Sequence, residues 1–184
     1  MHKAIRPAPK WATAVLLCLC AYLRMSCAAQ DVAADESEVR ALMIYNLTKF
    51  IEWPDAKPAK EHDPFLICVV GDDSVASQLD NLLRGKLVKG RSANIRQVRS
   101  GRGAEECEVL YISDEKRAHL ADVSAALSKA AVLTISGQHL SHEGAIIGLP
   151  FVEKRIAIEV DAEAAKRSGL SVSSKLLQIA AVAR

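Results

Sequence analysis

The sequence predicts an α/β fold: a single-domain layered sandwich, in which helices flank a mostly parallel sheet. Three short apolar runs support this prediction, at residues 65–70, 107–112 and 131–135. The first two are followed at once by residues that favour the start of a helix, which is typical of a buried parallel strand leading into a helix. A chain of 184 residues is long enough for one such domain with a substantial core.

Strands and helices are expected to alternate along residues 38–184. The strands are predicted at 65–70, 93–98, 107–112, 131–135, 145–149 and 155–160. The helices are predicted at 38–51, 75–83, 113–128, 161–169 and from Ser171 or Ser173 towards the C-terminus. The first helix is expected to stop at Trp53-Pro54, because proline disfavours helical geometry in the residue before it. Residues 30–37 are polar and acidic, and we predict that they form a flexible lead-in.

Residues 1–29 have the pattern of a cleaved secretory signal peptide. A basic start without acidic residues precedes an apolar run from Trp11 to Leu23, and small residues follow at 26–29. This run is shorter than the roughly 18 residues needed to span a membrane, so we expect export without a transmembrane anchor. Lipidation of Cys27 is the alternative, and Arg24 and Met25 directly before that cysteine disfavour it.

Cleavage would change both the charge and the cysteine count of the protein. The full chain has a formal net charge of +2 and five cysteines. Residues 1–29 contain four basic residues, no acidic residue and three of the cysteines, so the mature chain would carry 20 basic and 22 acidic residues. The two cysteines that remain are Cys68 and Cys107, an even pair in an oxidising compartment. With 50% hydrophobic residues, the chain is not expected to be disordered.

Cys68 and Cys107 each lie in a predicted buried strand. The first and third strands are neighbours in a flavodoxin-like strand order, so we predict a disulfide between them. Two buried free thiols that pack as small apolar groups are the alternative.

Polar residues follow the predicted strands at one end of the sheet. Asp72, Ser113 and Ser136 occupy such positions, and open α/β sheets bind ligands there. A small-molecule pocket is one interpretation, and helix capping is the interpretation we favour for the acidic residues. The pattern also resembles the acidic pocket of a phosphoacceptor receiver domain, but Leu149 stands where that site needs a lysine.

We predict no catalytic site, metal site or cofactor. His139 and His142 lie three residues apart beside Glu143, but no further ligand is near them in sequence. No serine lies in a nucleophile-elbow pattern. Gly101-Arg102-Gly103 precedes a predicted strand instead of following one, which excludes a dinucleotide-binding turn.

One stretch of the chain is strongly basic and contains no acidic residue. Its members are Arg84, Lys86, Lys89, Arg91, Arg96, Arg99 and Arg102. No aromatic residue lies among them, and the chain is predicted to be exported, so we expect no nucleic-acid binding. A solvated face is the interpretation we favour, and a surface for an anionic partner is the alternative.

Several sequence blocks together resemble the YfiR-like family over residues 38–184. The blocks are Tyr45–Pro54, Ile67–Asp72, Val109–Ser113 and Ser168–Leu177, the last being the most specific. The chain departs from the family pattern in two respects. It lacks the second cysteine pair that some relatives carry, and it keeps only Gly144 where the family has a pair of glycines.

The resemblance implies a periplasmic, non-catalytic protein that binds the periplasmic sensory domain of a membrane-bound diguanylate cyclase. Binding would repress the enzyme and lower cyclic-di-GMP synthesis. Cys68 and Cys107 match the family's cysteine pair, which implies that a redox-sensitive disulfide supports repression.

We expect the partner surface to include the end of the first helix and the C-terminal helix, and a homodimer through the same elements is a further expectation. The candidate residues are Trp53, Ser173, Lys175, Leu176 and Leu177. The alternative function is a periplasmic small-ligand sensor that uses the pocket near Asp72, Ser113 and Ser136 and signals to a different membrane kinase or transporter.

Overall fold

The computed structural model describes residues 36–54, 63–71, 73–99, 103–114, 120–127, 129–140, 144–153 and 155–182. The predicted signal peptide, Cys27, most of the predicted lead-in and Asp72 lie outside these residues. Ser37–Arg184 forms one compact unit. Within the described residues, no helix has the length and apolar character needed to cross a membrane.

The secondary structure alternates along the chain. The helices are α1 (36–47), α2 (Asp73–Leu83), α3 (Leu120–Leu127), α4 (Ala162–Arg167) and α5 (Ser174–Ile179), with short 3-10 turns at Thr48–Phe50 and Ala104–Glu106. The strands are β1 (Ile51–Glu52), β2 (Phe65–Val70), β3 (Leu87–Val88), β4 (Arg91–Val98), β5 (Val109–Ile112), β6 (Leu133–Ser136), β7 (Ile147–Gly148), β8 (Phe151–Val152), β9 (Arg155–Ile156), β10 (Glu159–Val160), β11 (Ser171–Val172) and β12 (Ala181–Val182).

An eight-stranded, mostly parallel sheet forms the centre of the fold, in the order β12-β10-β7-β6-β5-β2-β4-β3. The strands β4, β2, β5, β6 and β7 are parallel to one another, and β12 is parallel to β10. Antiparallel pairs join β3 to β4 and β10 to β7. The predicted α/β class is confirmed, and β2 lies beside β5 as a flavodoxin-like order requires.

Two apolar cores lie on opposite faces of this sheet. All six residues of β2 are buried, and their side chains alternate between the faces. Phe65, Ile67 and Val69 pack in the larger core, which contains residues of α1, α2, α4 and α5. Leu66, Cys68 and Val70 pack in the smaller core with residues of α3. Because helices cover both faces, β2 is uniformly apolar.

The first helix differs from its predicted bounds at both ends. It includes residues 36 and 37, which the sequence predicts as part of the flexible lead-in, and its last residue is Leu47. The 3-10 turn and β1 then replace the predicted final turns. Pairing of Ile51 with Val172 in β11 causes this difference, because a long-range strand pair outweighs local helical periodicity.

Four predicted strands are shifted, shorter or divided. The strand predicted at 131–135 is observed at Leu133–Ser136, and the one predicted at 145–149 is observed at Ile147–Gly148. The strand predicted at 107–112 begins at Val109, and Cys107 and Glu108 precede it. The strand predicted at 155–160 is divided, because β9 pairs with β8 in a separate hairpin whereas β10 joins the main sheet. The predicted caps are present: Asp161 Oδ1 accepts from the amide of Ala164 at 2.8 Å, and Ser173 Oγ accepts from the amide of Lys175 at 3.3 Å.

Candidate functional site

A disulfide joins Cys68 to Cys107, as predicted. Their Cα atoms are 6.0 Å apart, and 39 residues separate them in sequence. Cys68 lies in β2 and Cys107 lies just before the neighbouring β5, so the strand order brings the two residues together. Both residues are fully buried in the smaller core. A reductant in solution therefore has no direct access to either sulfur in the folded protein.

Glu108 connects the disulfide to the rest of the site. It follows Cys107 directly and is only 6% exposed. Its Oε2 accepts from the amide of Leu66 at 2.6 Å, and its Oε1 lies 2.9 Å from Nη1 of Arg91. Its main-chain oxygen accepts from Nε1 of Trp53 at 3.2 Å. One buried residue thus holds the start of β2, the start of β4 and the segment after β1.

Arg91 is used by the fold and is not a free surface cation. Its Nε donates to the carbonyl of Asp63 at 2.8 Å, and its Nη2 donates to the carbonyl of Pro64 at 2.6 Å. The guanidinium also lies 5.6 Å from the centroid of the Phe65 ring. Together with its pair to Glu108, these contacts fix the chain as it enters β2.

A cleft of about 310 Å³ opens beside this network, which is at the small end of the range for ligand pockets. Trp53 and Phe65 pack edge to face, with ring centroids 5.4 Å apart. Nζ of Lys89 lies 5.9 Å from the centroid of the Trp53 ring. The lining is Glu52, Trp53, Pro54, Phe65, Lys89, Arg91 and Glu108. The cleft combines an aromatic wall with one ammonium, one guanidinium and two carboxylate groups.

The C-terminal segment lies next to the Trp53 segment. Strand β11 pairs with β1, and the amide of Ser173 donates to the carbonyl of Phe50 at 2.9 Å. Leu176 is 1% exposed and belongs to the larger core, so it has no surface to offer a partner. Lys175 is exposed, and Ser173 and Leu177 are half-buried. The two elements predicted to form the partner surface are therefore adjacent.

The described pocket candidates lie at the carboxyl ends of neighbouring strands. Ile112, before Ser113, pairs with Ser136 across β5 and β6. Oγ of Ser136 accepts from the amide of Gln138 at 3.1 Å. Ser113 is 5% exposed, and its Oγ is buried without a hydrogen-bond partner within the described part of the chain. Buried hydroxyl groups without a partner are rare in folded proteins.

Two buried charged residues, Glu108 and Arg40, are not among the site residues that the sequence predicts. Arg40 is 3% exposed, and its Nη1 donates to the carbonyl of Gly137 at 2.8 Å and to that of Leu149 at 3.0 Å. It ties α1 to the carboxyl ends of the strands. The sequence does contain a clue to each residue. Arg40 lies four residues before Ile44, on the apolar face of the helix, and Glu108 lies within an otherwise apolar run.

No group of three or more metal-ligating side chains comes together in the described ranges. Nδ1 of His139 lies 2.6 Å from Oε1 of Glu159, in an exposed contact. His142 and Glu143, the other members of the histidine pattern, lie outside the described residues.

Comparison with solved structures gives a fold likeness. A conserved domain protein from Vibrio cholerae O1 biovar eltor superposes with a TM-score of 0.51 at 15% sequence identity. The match covers 80% of this chain and 60% of that chain, so this chain spans less than two thirds of the solved protein. No curated protein matches.

The sequence profile of the YfiR/HmsC-like family matches residues 37–181. That family is periplasmic, is regulatory rather than catalytic, and is associated with the regulation of diguanylate cyclases. The match includes the disulfide, the Trp53 cleft and α5. Since it covers well over half of the sequence, the chain belongs to the YfiR/HmsC-like family.

Proposed function

We propose that this chain is a non-catalytic regulator that binds the periplasmic sensory domain of a membrane-bound diguanylate cyclase and represses it. Cyclic-di-GMP synthesis would then fall when the complex forms. Family membership supports the type of target. The observation that carries the proposal is the adjacency of the Trp53 cleft and α5, together with the link from that cleft to the disulfide through Glu108.

The outer face of α5 has the properties of a contact surface. Ile179 is 69% exposed, so this face offers a partner one large apolar side chain. Lys175 lies four residues before it and is also exposed, so both side chains lie on the same helix face. An apolar group beside a cation suits a partner surface that offers an apolar patch next to a carboxylate. A homodimer through this face would compete with the partner.

Redox dependence is part of the proposal. Because the disulfide is fully buried, reduction must follow local opening around Cys107, not direct attack on the folded protein. Loss of the bond would release the segment that carries Glu108, and with it the anchor of Trp53 and Arg91. The reduced protein would then present a less ordered cleft to its partner.

Export would bring the protein to the compartment of its proposed partner. The predicted removal of residues 1–29 would release a mature chain with one cysteine pair, and an oxidising compartment allows that pair to form a bond. A free soluble domain could then reach the periplasmic part of a membrane protein.

Charge inversion on α5 tests the contact surface. We expect Lys175→Glu to weaken binding to the purified sensory domain by about fivefold, because one favourable charge contact becomes repulsive. Calorimetric titration measures the affinity. Lys129→Glu is the matched control: it inverts another exposed lysine, beside α3, and should bind like the unmodified protein. Equal affinities for the three proteins would exclude α5 from the interface.

The unpartnered hydroxyl of Ser113 favours a second candidate function, a small-ligand sensor that signals to another membrane kinase or transporter. A bound ligand or water at the strand ends would satisfy that group, and open α/β sheets bind ligands there. A thermal-shift screen with nucleotides and amino acids separates the two functions. A ligand that raises the melting temperature would support the sensor.

A further inference from the structure

The outer edge of β4 is open along most of its length. β4 spans eight residues, and β2 pairs with Ala93–Val98 on its inner side. On its outer side β3 pairs only with Arg91 and Ser92. No other strand of the described residues lies along that side of β4.

The hydrogen-bonding pattern of the sheet shows which residues point outwards. The amide of Ser113 donates to the carbonyl of Val70, so even-numbered residues of β2 bond to β5 and odd-numbered ones bond to β4. In the parallel register of β2 with β4, the main-chain hydrogen bonds of β4 to β2 therefore come from its even-numbered residues. The main-chain N–H and C=O of Ala93 and Ile95 therefore point away from the sheet.

A groove of about 440 Å³ runs beside this edge, between β4 and α2. Its lining is Ala76, Ser77, Asp80, Asn81, Ile95 and Gln97. An open strand edge beside a helix is the geometry in which extended peptides add to a sheet. The edge supplies main-chain hydrogen bonds and the groove receives alternate side chains.

The opposite side of the same edge carries a cation. Arg96 is exposed and lies on the face away from the groove, where it pairs with Glu106 at 3.0 Å. The two side chains are 48% and 72% exposed, so the pair adds little stability and a carboxylate from another molecule can replace Glu106. Arg99, also exposed, follows the end of β4. A strand added here would place every second side chain on the face that carries Arg96.

We propose that this groove receives an extended segment of a partner protein as an added strand, with an acidic side chain opposite Arg96 and an apolar side chain over Ile95. The site lies apart from the Trp53 cleft and from α5. Binding at this site does not require the partner to be a diguanylate cyclase. A second copy of this chain is a poor occupant, because pairing β4 with β4 brings two arginine-bearing strands together.

Titration with two synthetic peptides tests this inference on the exported protein labelled for amide NMR. One decamer alternates valine with glutamate, and the other alternates valine with lysine. We expect the glutamate peptide to bind with a dissociation constant below about 1 mM and to shift the amides of residues 93–98 and of α2. Arg96→Glu should weaken that binding about fivefold and favour the lysine peptide. Arg155→Glu, which inverts an exposed arginine on β9, should behave like the unmodified protein.

Ile95→Pro provides a second test, because it removes an outward amide without breaking the ladder to β2. We expect this variant to lose binding of the glutamate peptide while its melting transition remains cooperative. The proposal is overturned if neither peptide shifts residues 93–98. It is equally overturned if both peptides bind alike, or if folded Ile95→Pro binds like the unmodified protein. If the sensory domain of the diguanylate cyclase does not bind this protein, the proposed function is overturned, whereas strand addition at β4 is unaffected.

Discussion

Replacing both Cys68 and Cys107 by alanine is expected to lower the free energy of unfolding by about 4 kcal/mol. The bond closes a loop between residues 39 apart, and in the chain-entropy treatment a loop of this length restricts the unfolded chain by about that amount. Equilibrium unfolding in urea measures the change. Trp53 is the only tryptophan beyond residue 29, so its fluorescence reports on the cleft beside the disulfide.

The unmodified protein under reducing conditions is the control. Because both sulfurs are buried, a reductant should break the bond slowly in the absence of urea, through local opening, and much faster once urea opens the fold. Thiol titration of the denatured, unreduced protein should find no free thiol beyond residue 29. Two reactive thiols per chain, or a loss of less than about 1 kcal/mol in the alanine variant, would contradict the structural role of the bond.

Glu108→Ala should produce the second largest effect, a loss of about 3 kcal/mol. The substitution leaves the guanidinium of Arg91 and the amide of Leu66 without their carboxylate partner, and breaking a buried ion pair from one side is strongly destabilising. Because Arg91 is 21% exposed and therefore partly hydrated, the expected loss lies at the lower end of the range for a broken buried ion pair. Thermal and urea unfolding both measure the loss.

Glu106→Ala is the matched control, two residues earlier in the chain. Its carboxylate also pairs with an arginine, Arg96, but both partners are exposed. We expect a loss of at most about 1 kcal/mol from this variant. Similar losses from the two substitutions would show that Glu108 is not the anchor described above. Glu108→Gln should fall between them, since an amide oxygen still accepts from Leu66.

The sequence allows prediction of the elements that depend on local pattern. Short, mostly apolar runs predict β2, β5 and β6, and their order places Cys68 beside Cys107. The caps at Asp161 and Ser173 were equally visible, because side-chain oxygens near a helix start have a local role. The pairs β1–β11 and β10–β12 join two residues from each strand over long sequence separations, and no periodicity marks them.

The candidate site was less predictable because its contacts are long-range. The sequence predicts Trp53 as a partner residue, but its hydrogen bond to Glu108 spans 55 residues and leaves no local signal. The basic stretch has no acidic residue in sequence, yet Arg91 and Arg96 each pair with a carboxylate from a later part of the chain. Leu176 has the helical spacing of an apolar face, and this spacing does not distinguish a core residue from a contact residue.

The most direct test of the proposed function measures cyclic-di-GMP synthesis by membranes that contain the host's diguanylate cyclase, with and without the exported protein. We predict that added protein lowers synthesis, and that the variant without Cys68 and Cys107 lowers it less at equal concentrations of folded protein. Unchanged synthesis at saturating protein would contradict repression. Equal repression by the cysteine variant would contradict redox control through the disulfide and leave repression itself intact.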